Sequence, residues 1–101
     1  MTLEKVVNKS ILEHLEGLKI FDSLTPSIVN LAKKIKEVFE NEGKLLICGN
    51  GGSAADAQHL SSELTGFFEK KRKAFYSIAL TTDTSAITAI GNDYGFENIF
   101  S

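Results

Sequence analysis

Three glycines within four positions, flanked by asparagine and serine, make Cys48-Gly49-Asn50-Gly51-Gly52-Ser53 the most chemically suggestive stretch of the chain. It lies between a short apolar run and the start of a helical pattern. Backbone N–H groups in such a turn approach an anion closely, and the helix N-terminus adds partial positive charge. Ser53 adds a hydroxyl. The natural guest is a phosphate or a polyhydroxylated sugar; the plainer alternative is a tight strand-to-helix turn, for which one or two glycines suffice. Asp56, His59 and Glu63 follow on the helix at offsets of three and four. At 100° per residue they fall within about a 60° arc of one face. His59 and Glu63 at this spacing can ligate one metal ion, or act side by side as general acid and base. The plainer reading is a solvated helix face with a stabilising His–Glu pair.

Other chemistry is less well supported. Gly49, Gly51 and Ala54 satisfy the dinucleotide fingerprint G-x-G-x-x-A. That reading needs an acid at the end of the next strand, and the two candidates sit awkwardly. Glu69 precedes that strand among basic residues, and Asp83 looks better as a helix cap. Gly91-Asn92-Asp93 reads as a helix C-cap and turn, with Asn92 and Asp93 undecided as ligand contacts. Lys70-Lys71-Arg72-Lys73 reads as a solvated loop, His14 as a tolerated helical residue and Cys48 as a small buried hydrophobe.

The elements that must hold these residues follow from periodicity. Val7, Ile11, Leu15 and Leu18, with Leu3 one turn earlier, stripe one face of a first helix. Thr25 as N-cap and Pro26 at the first helical position open a second, striped by Ile28, Leu31, Ala32, Ile35, Val38 and Phe39 and closed by Gly43 as the left-handed residue. Leu45-Leu46-Ile47-Cys48 is then a short apolar run of the kind that forms a parallel strand buried on both faces. Ser53 caps the helix that follows, with Asp56 in a weak capping-box position, and that helix runs to Gly66. Ser77-Ile78-Ala79-Leu80 is a second buried strand. A cap at Thr82-Asp83-Thr84-Ser85 starts a short helix ending at Gly91. Residues 1–42 thus form a helical segment and 43–101 an α/β segment built on one βαβ unit with a right-handed crossover.

Composition excludes several classes. The chain is 43% hydrophobic with net charge −2, too apolar and too weakly charged for a disordered segment. The same charge argues against a nucleic-acid partner, whose binding rests on neutralised phosphates. No apolar run is long enough to span a membrane, and no basic and apolar leader follows Met1, so the expected location is cytoplasmic. Cys48 has no second cysteine to pair with. Two parallel strands are too few for a stable sheet, and the final Glu97-Asn98-Ile99-Phe100-Ser101 carries no stop signal. The expectation is a chain cut inside an element.

With Cys48–Ser53, Ala55-Asp56-Ala57-Gln58-His59 and Glu63-Leu64-Thr65-Gly66 in view, the chain is similar to the first half of the phosphoheptose isomerases, members of the sugar isomerase (SIS) domain superfamily. The runs Ile78–Ser85 and Gly91-Asn92-Asp93-Tyr94-Gly95-Phe96 continue the likeness. The fold this implies is α/β: the first half of a doubly wound, flavodoxin-like parallel sheet preceded by two helices. The activity implied is aldose–ketose isomerisation of sedoheptulose 7-phosphate to D-glycero-D-manno-heptose 7-phosphate through an enediol, on the way to lipopolysaccharide or capsule heptose. Asn50, Gly51, Gly52, Ser53, Glu63, Asn92 and Asp93 would contact this phosphorylated heptose. His59 and Glu63 would be ligands of one zinc ion per site, and Glu63 would also move the proton between C1 and C2. The two N-terminal helices would pack in a homotetramer, with neither nucleic acid nor membrane as partner.

Two departures bear on this. Family members often carry arginine where this chain has Phe67, and family chains continue past Ser101. The part beyond would hold a phosphate-binding serine- and threonine-rich loop, and the glutamine and histidine that complete the metal site. The chain alone is therefore expected to be inactive. The DnaA initiator-associating proteins, non-catalytic SIS relatives, share the glycine turn but differ at the glutamate position, so Gly52 and Glu63 favour the isomerases. The competing expectation is a non-catalytic binding protein or a truncated relic.

Overall fold

A computed structural model describes residues 2–66 and 72–101. Phe67, Glu69, Lys70 and Lys71 lie outside the described residues. The chain divides into two compact units, Met1–Lys36 and Glu37–Ser101.

Helix α1 spans Leu3–Asp22; its N-cap Thr2 accepts from the Lys5 N–H at 3.2 Å. Glu4 in its first turn and Lys19 in its last suit the helix dipole. The stripe Leu3, Val7, Ile11, Leu15 and Leu18 is there, and each member is at least half exposed. Helix α2 spans Thr25–Glu40. It starts one residue before the sequence reading. The Leu24 carbonyl accepts the Ile28 N–H at 3.0 Å, and the Thr25 hydroxyl donates back to Asp22 O at 2.8 Å instead of capping.

The exit from α2 differs from expectation in an instructive way. The Glu42 N–H returns to Phe39 O at 3.1 Å and the Gly43 N–H to Val38 O at 2.7 Å, a Schellman pair of bonds. The left-handed residue is Glu42, at φ 58°, not Gly43. Gly43 is needed for closeness instead: a Cβ there would stand 2.8 Å from Val38 Cγ1 and 2.9 Å from Val38 O. The strain sits on the glutamate. Glu42→Gly is therefore expected to stabilise the chain by about 0.5–1 kcal/mol, the left-handed cost less the glycine entropy. Gly43→Ala is expected to destabilise it. Thermal midpoints of the two variants should move in opposite directions; a fall for Glu42→Gly contradicts the assignment of strain.

In the second unit, strands β1 (Leu45–Ile47) and β2 (Ser77–Ala79) pair in parallel, in the register Leu45↔Ser77, Leu46↔Ile78, Ile47↔Ala79. Helix α3 (Gly52–Thr65) connects them and packs chiefly on β2. The contact is made by small residues on both sides: Ala57 and Ser61 from the helix, Ser77 and Ala79 from the strand, all buried. Without bulky side chains between them, helix and sheet approach closely. The strands are not covered on both faces, as their apolar runs suggested. Leu46 and Ile78, neighbours in the register, are 50% and 40% exposed on the face away from α3. Both strands also stop a residue early. Leu80 enters a 3₁₀ turn, Leu80–Thr82, and Cys48 is exposed, not a buried hydrophobe.

Helix α4 (Thr84–Tyr94) is capped by Asp83, which accepts from the Ala86 N–H at 3.0 Å. It does not end at Gly91 but runs through Asn92 and Asp93 to Gly95, whose φ is 101°. Gly91 lies inside the helix beside Ile99: a Cβ there would meet Ile99 Cγ2 at 3.5 Å, an ordinary van der Waals contact, and Ile99 is buried as the Phe96–Asn98 turn folds back.

Candidate functional site

The glycine turn is built by close approach. A Cβ at Gly49 would stand 2.5 Å from Ser53 O and 2.8 Å from Ser53 Cβ, so the chain doubles back directly over this position. The Ser53 N–H donates to Asn50 O at 2.9 Å and the Ala54 N–H to Gly51 O at 3.1 Å. The N-cap is Gly51, at φ 54° and ψ −124°, with no side-chain cap bond. Ser53 is thus not the cap, and Asp56 completes no capping box. Ser53 is the second helical residue, and its hydroxyl is left out of the capping scheme. Asn50, Gly51, Gly52 and Ser53 are all exposed. Gly52 stands apart from its neighbours. It has no positive φ, and a Cβ there would touch nothing within 4 Å. Among the described residues nothing requires a glycine at that position.

Farther along α3, His59 Nε2 lies 3.1 Å from Glu63 Oε1. The imidazole is 74% exposed and the carboxylate 34%. At 100° per residue, 59 and 63 lie roughly 200° around the helix from Ala57 and Ser61, so the pair faces away from the sheet. Asp56 joins the same face without a hydrogen bond to either. Among the described residues no group of three or more His, Cys, Asp and Glu side chains gathers to hold a metal. The donor types suit zinc, but two donors make only part of a tetrahedral set. A metal bound at Nε2 would replace its contact with Glu63.

The candidate residues fall into three clusters. The turn 50–53 opens α3 and the His59–Glu63 pair lies toward its other end; from Ser53 to Glu63 a helix advances roughly 15 Å. Asn92 and Asp93 sit in the last turn of α4, exposed, with Asn92 Nδ2 donating to Asp93 Oδ1 at 3.2 Å. Among the described residues no hydrogen bond joins them to the other two clusters. Of the two acids weighed for the dinucleotide alternative, Asp83 is engaged as the cap of α4, and Glu69 lies outside the described residues.

Arg72 lies in an exposed loop, as expected, but it does more there than the sequence suggested. Its guanidinium donates to the carbonyls of Glu63 (2.8 Å), Leu64 (3.0 Å), Gly66 (3.3 Å) and Lys73 (3.0 Å), and lies over the Phe75 ring at 4.1 Å. The available signal was one arginine among lysines just beyond a helix C-terminus, where exposed carbonyls attract a cation with several donors.

The structure thus sets a glycine-rich turn between a parallel strand and a helix, with a polar His–Glu pair farther along that helix, as in α/β domains. The family model "SIS domain" matches residues 9–101, and the chain belongs to this family. Among curated proteins it is 50% identical over 99 residues to the phosphoheptose isomerase of Helicobacter hepaticus, covering 98% of this chain and 50% of that one. It is 52% identical over 96 residues to phosphoheptose isomerase 1 of Campylobacter jejuni, covering 95% and 52%. Among solved structures, phosphoheptose isomerase GmhA from Neisseria gonorrhoeae superposes with TM-score 0.84 at 44% identity, over 98% of this chain and 51% of that one. A phosphoheptose isomerase from Francisella tularensis superposes at 0.87 and 40%, over 99% and 53%. The chain spans about half the length of the curated relatives it matches. The doubly wound α/β expectation thus holds at the level of fold. No helix among the described residues is long and apolar enough to cross a membrane.

Proposed function

We propose that this chain supplies the first half of a cytoplasmic phosphoheptose isomerase, interconverting sedoheptulose 7-phosphate and D-glycero-D-manno-heptose 7-phosphate for lipopolysaccharide or capsule heptose. The observation that carries the reading is a partly covered carboxylate, Glu63, on the helix that springs from the glycine turn, in a chain about half identical to phosphoheptose isomerases. Glu63 takes the proton from C1 of the ketose. The C–H electron pair becomes the C1–C2 double bond, and the C2 carbonyl oxygen gains a proton, giving the enediol. Return of the Glu63 proton to C2, with loss of the O1 proton, leaves the aldose. Asn50, Gly51, Gly52 and Ser53 hold the sugar phosphate by backbone N–H and hydroxyl groups, helped by Asn92 and Asp93. His59 and Glu63 would hold one zinc ion, with further ligands from outside these residues; bound zinc polarises a carbonyl. The exposed stripes of α1 and α2 are suited to cover one another's counterparts in a homotetramer.

The test is turnover by the intact native protein. Sedoheptulose 7-phosphate in deuterium oxide should yield the aldose with deuterium at C2, read by proton NMR. His59→Ala should lower bound zinc, read by elemental analysis, along with turnover. No turnover by the zinc-supplied protein sinks the isomerase reading and leaves the non-catalytic one. Unchanged zinc in His59→Ala removes that ligand.

A further inference from the structure

The C-terminal end of α3 is held by a side chain from outside the helix. The last carbonyls of a helix have no donor within it. Here Ser62 O takes the Gly66 N–H at 2.8 Å and Leu64 O the Phe75 N–H at 3.0 Å. Arg72 serves a third of these carbonyls: Nη2 donates to Glu63 O at 2.8 Å, while Nη1 is shared among Leu64 O, Gly66 O and Lys73 O. Its charge also meets the negative end of the helix dipole. The guanidinium is itself braced, lying on Phe75, which stacks on Phe39 with ring centres 4.5 Å apart and planes within 6°. The shortest of the four bonds falls on the backbone of Glu63. When a terminal turn frays, the Cα positions move and the side chains they carry move with them.

We infer that Arg72 is a positioning residue for the Glu63 carboxylate, fixing the base by capping the helix end that bears it. This rests on the reading of Glu63 as the proton-transfer group. Lysine cannot replace it: an ammonium is a point donor with no plane to lie on Phe75 and no fork to span carbonyls one to three residues apart. Loosening a base by an ångström costs turnover more than binding.

In the intact native protein, Arg72→Lys is expected to lower kcat about 10-fold with KM within about twofold. Amide exchange of Phe75 and Gly66 should quicken. In a Glu63→Gln background the same change should lower turnover no further, since there is then no base to position. Wild-type kcat in Arg72→Lys, a change confined to KM, or an equal further loss in the Glu63→Gln background each overturns the inference. If Arg72→Lys does not accumulate as folded protein, Arg72→Gln carries the same measurements; failure of both to fold makes Arg72 a folding residue and overturns it too. Turnover retained in Glu63→Gln alone sinks the base assignment instead, and the inference with it. Quickened exchange would then still report the cap.

Discussion

Glu63→Gln is expected to lower kcat of the intact protein by roughly 10²–10⁴-fold, with KM for the ketose phosphate changed by no more than a few-fold. Glutamine has the shape of glutamate, and its amide can still hydrogen-bond to the His59 ring. It loses only the basic oxygen. The fold should be indifferent, because Glu63 faces away from the buried Ala57 and Ser61 and is a third exposed. Glu63→Asp keeps the basicity but withdraws the carboxylate by one methylene, so an intermediate loss is expected. Because the same carboxylate is proposed as a zinc ligand, metal content must be measured beside the rates. A fall in turnover with zinc retained assigns the proton transfer to Glu63. A fall that tracks zinc loss and recovers with added zinc assigns it a ligand role alone. Unchanged turnover removes it from the chemistry.

How much of this was legible beforehand depends on the range over which each feature is determined. The βαβ unit came from local signals: apolar runs at Leu45 and Ser77, turn residues around them, a helical period between. The His59–Glu63 contact followed from helical spacing alone. Several differences concern groups whose partners are distant or whose surroundings are not encoded locally, while the caps expected at Thr25 and Ser53 were displaced locally, by a bond to Asp22 O and by Gly51. Nothing near Arg72 reveals that its fork reaches back across the chain to Glu63 O, nine residues earlier. Gly43 looked like the left-handed residue because glycine favours that conformation; the close contact with Val38 needed the glycine more, and pushed positive φ onto Glu42. Helix α4 overran Gly91 because a glycine inside a helix costs only about 1 kcal/mol, and the positive-φ glycine at its end is Gly95. The strands looked doubly buried because their composition is that of strands in a complete sheet, yet Leu46 and Ile78 are open on one face. Asn92 and Asp93 stayed undecided from the sequence because their place relative to the glycine turn depends on how α4 packs; the structure puts both in the last turn of α4.

The glycine turn offers a test in which folding and binding should move in opposite directions. Gly49→Ala places a methyl carbon 2.5–2.8 Å from the Ser53 backbone and Cβ, too close for the turn to keep its shape. A cost of about 1–3 kcal/mol is expected from the forced shift, with a lower thermal midpoint. Sugar-phosphate affinity should fall as well, since the same shift misplaces the first N–H groups of α3. That result alone does not separate a tight turn from a binding turn. Gly52→Ala does. Position 52 is the first residue of α3, has no positive φ, and leaves open space around a new methyl. Alanine is the better helix former by as much as about 1 kcal/mol, so the thermal midpoint should hold or rise. Yet the methyl would stand where a phosphate must approach the backbone, and affinity should fall at least about 10-fold, each 1.4 kcal/mol of lost contact being tenfold. A turn that merely connects a strand to a helix has no means of producing stability gained and affinity lost together. Titration calorimetry with the sugar phosphate beside thermal melts reads both quantities. Unchanged affinity in Gly52→Ala would mean that the ligand does not come to this turn, whatever Glu63 does eleven residues later.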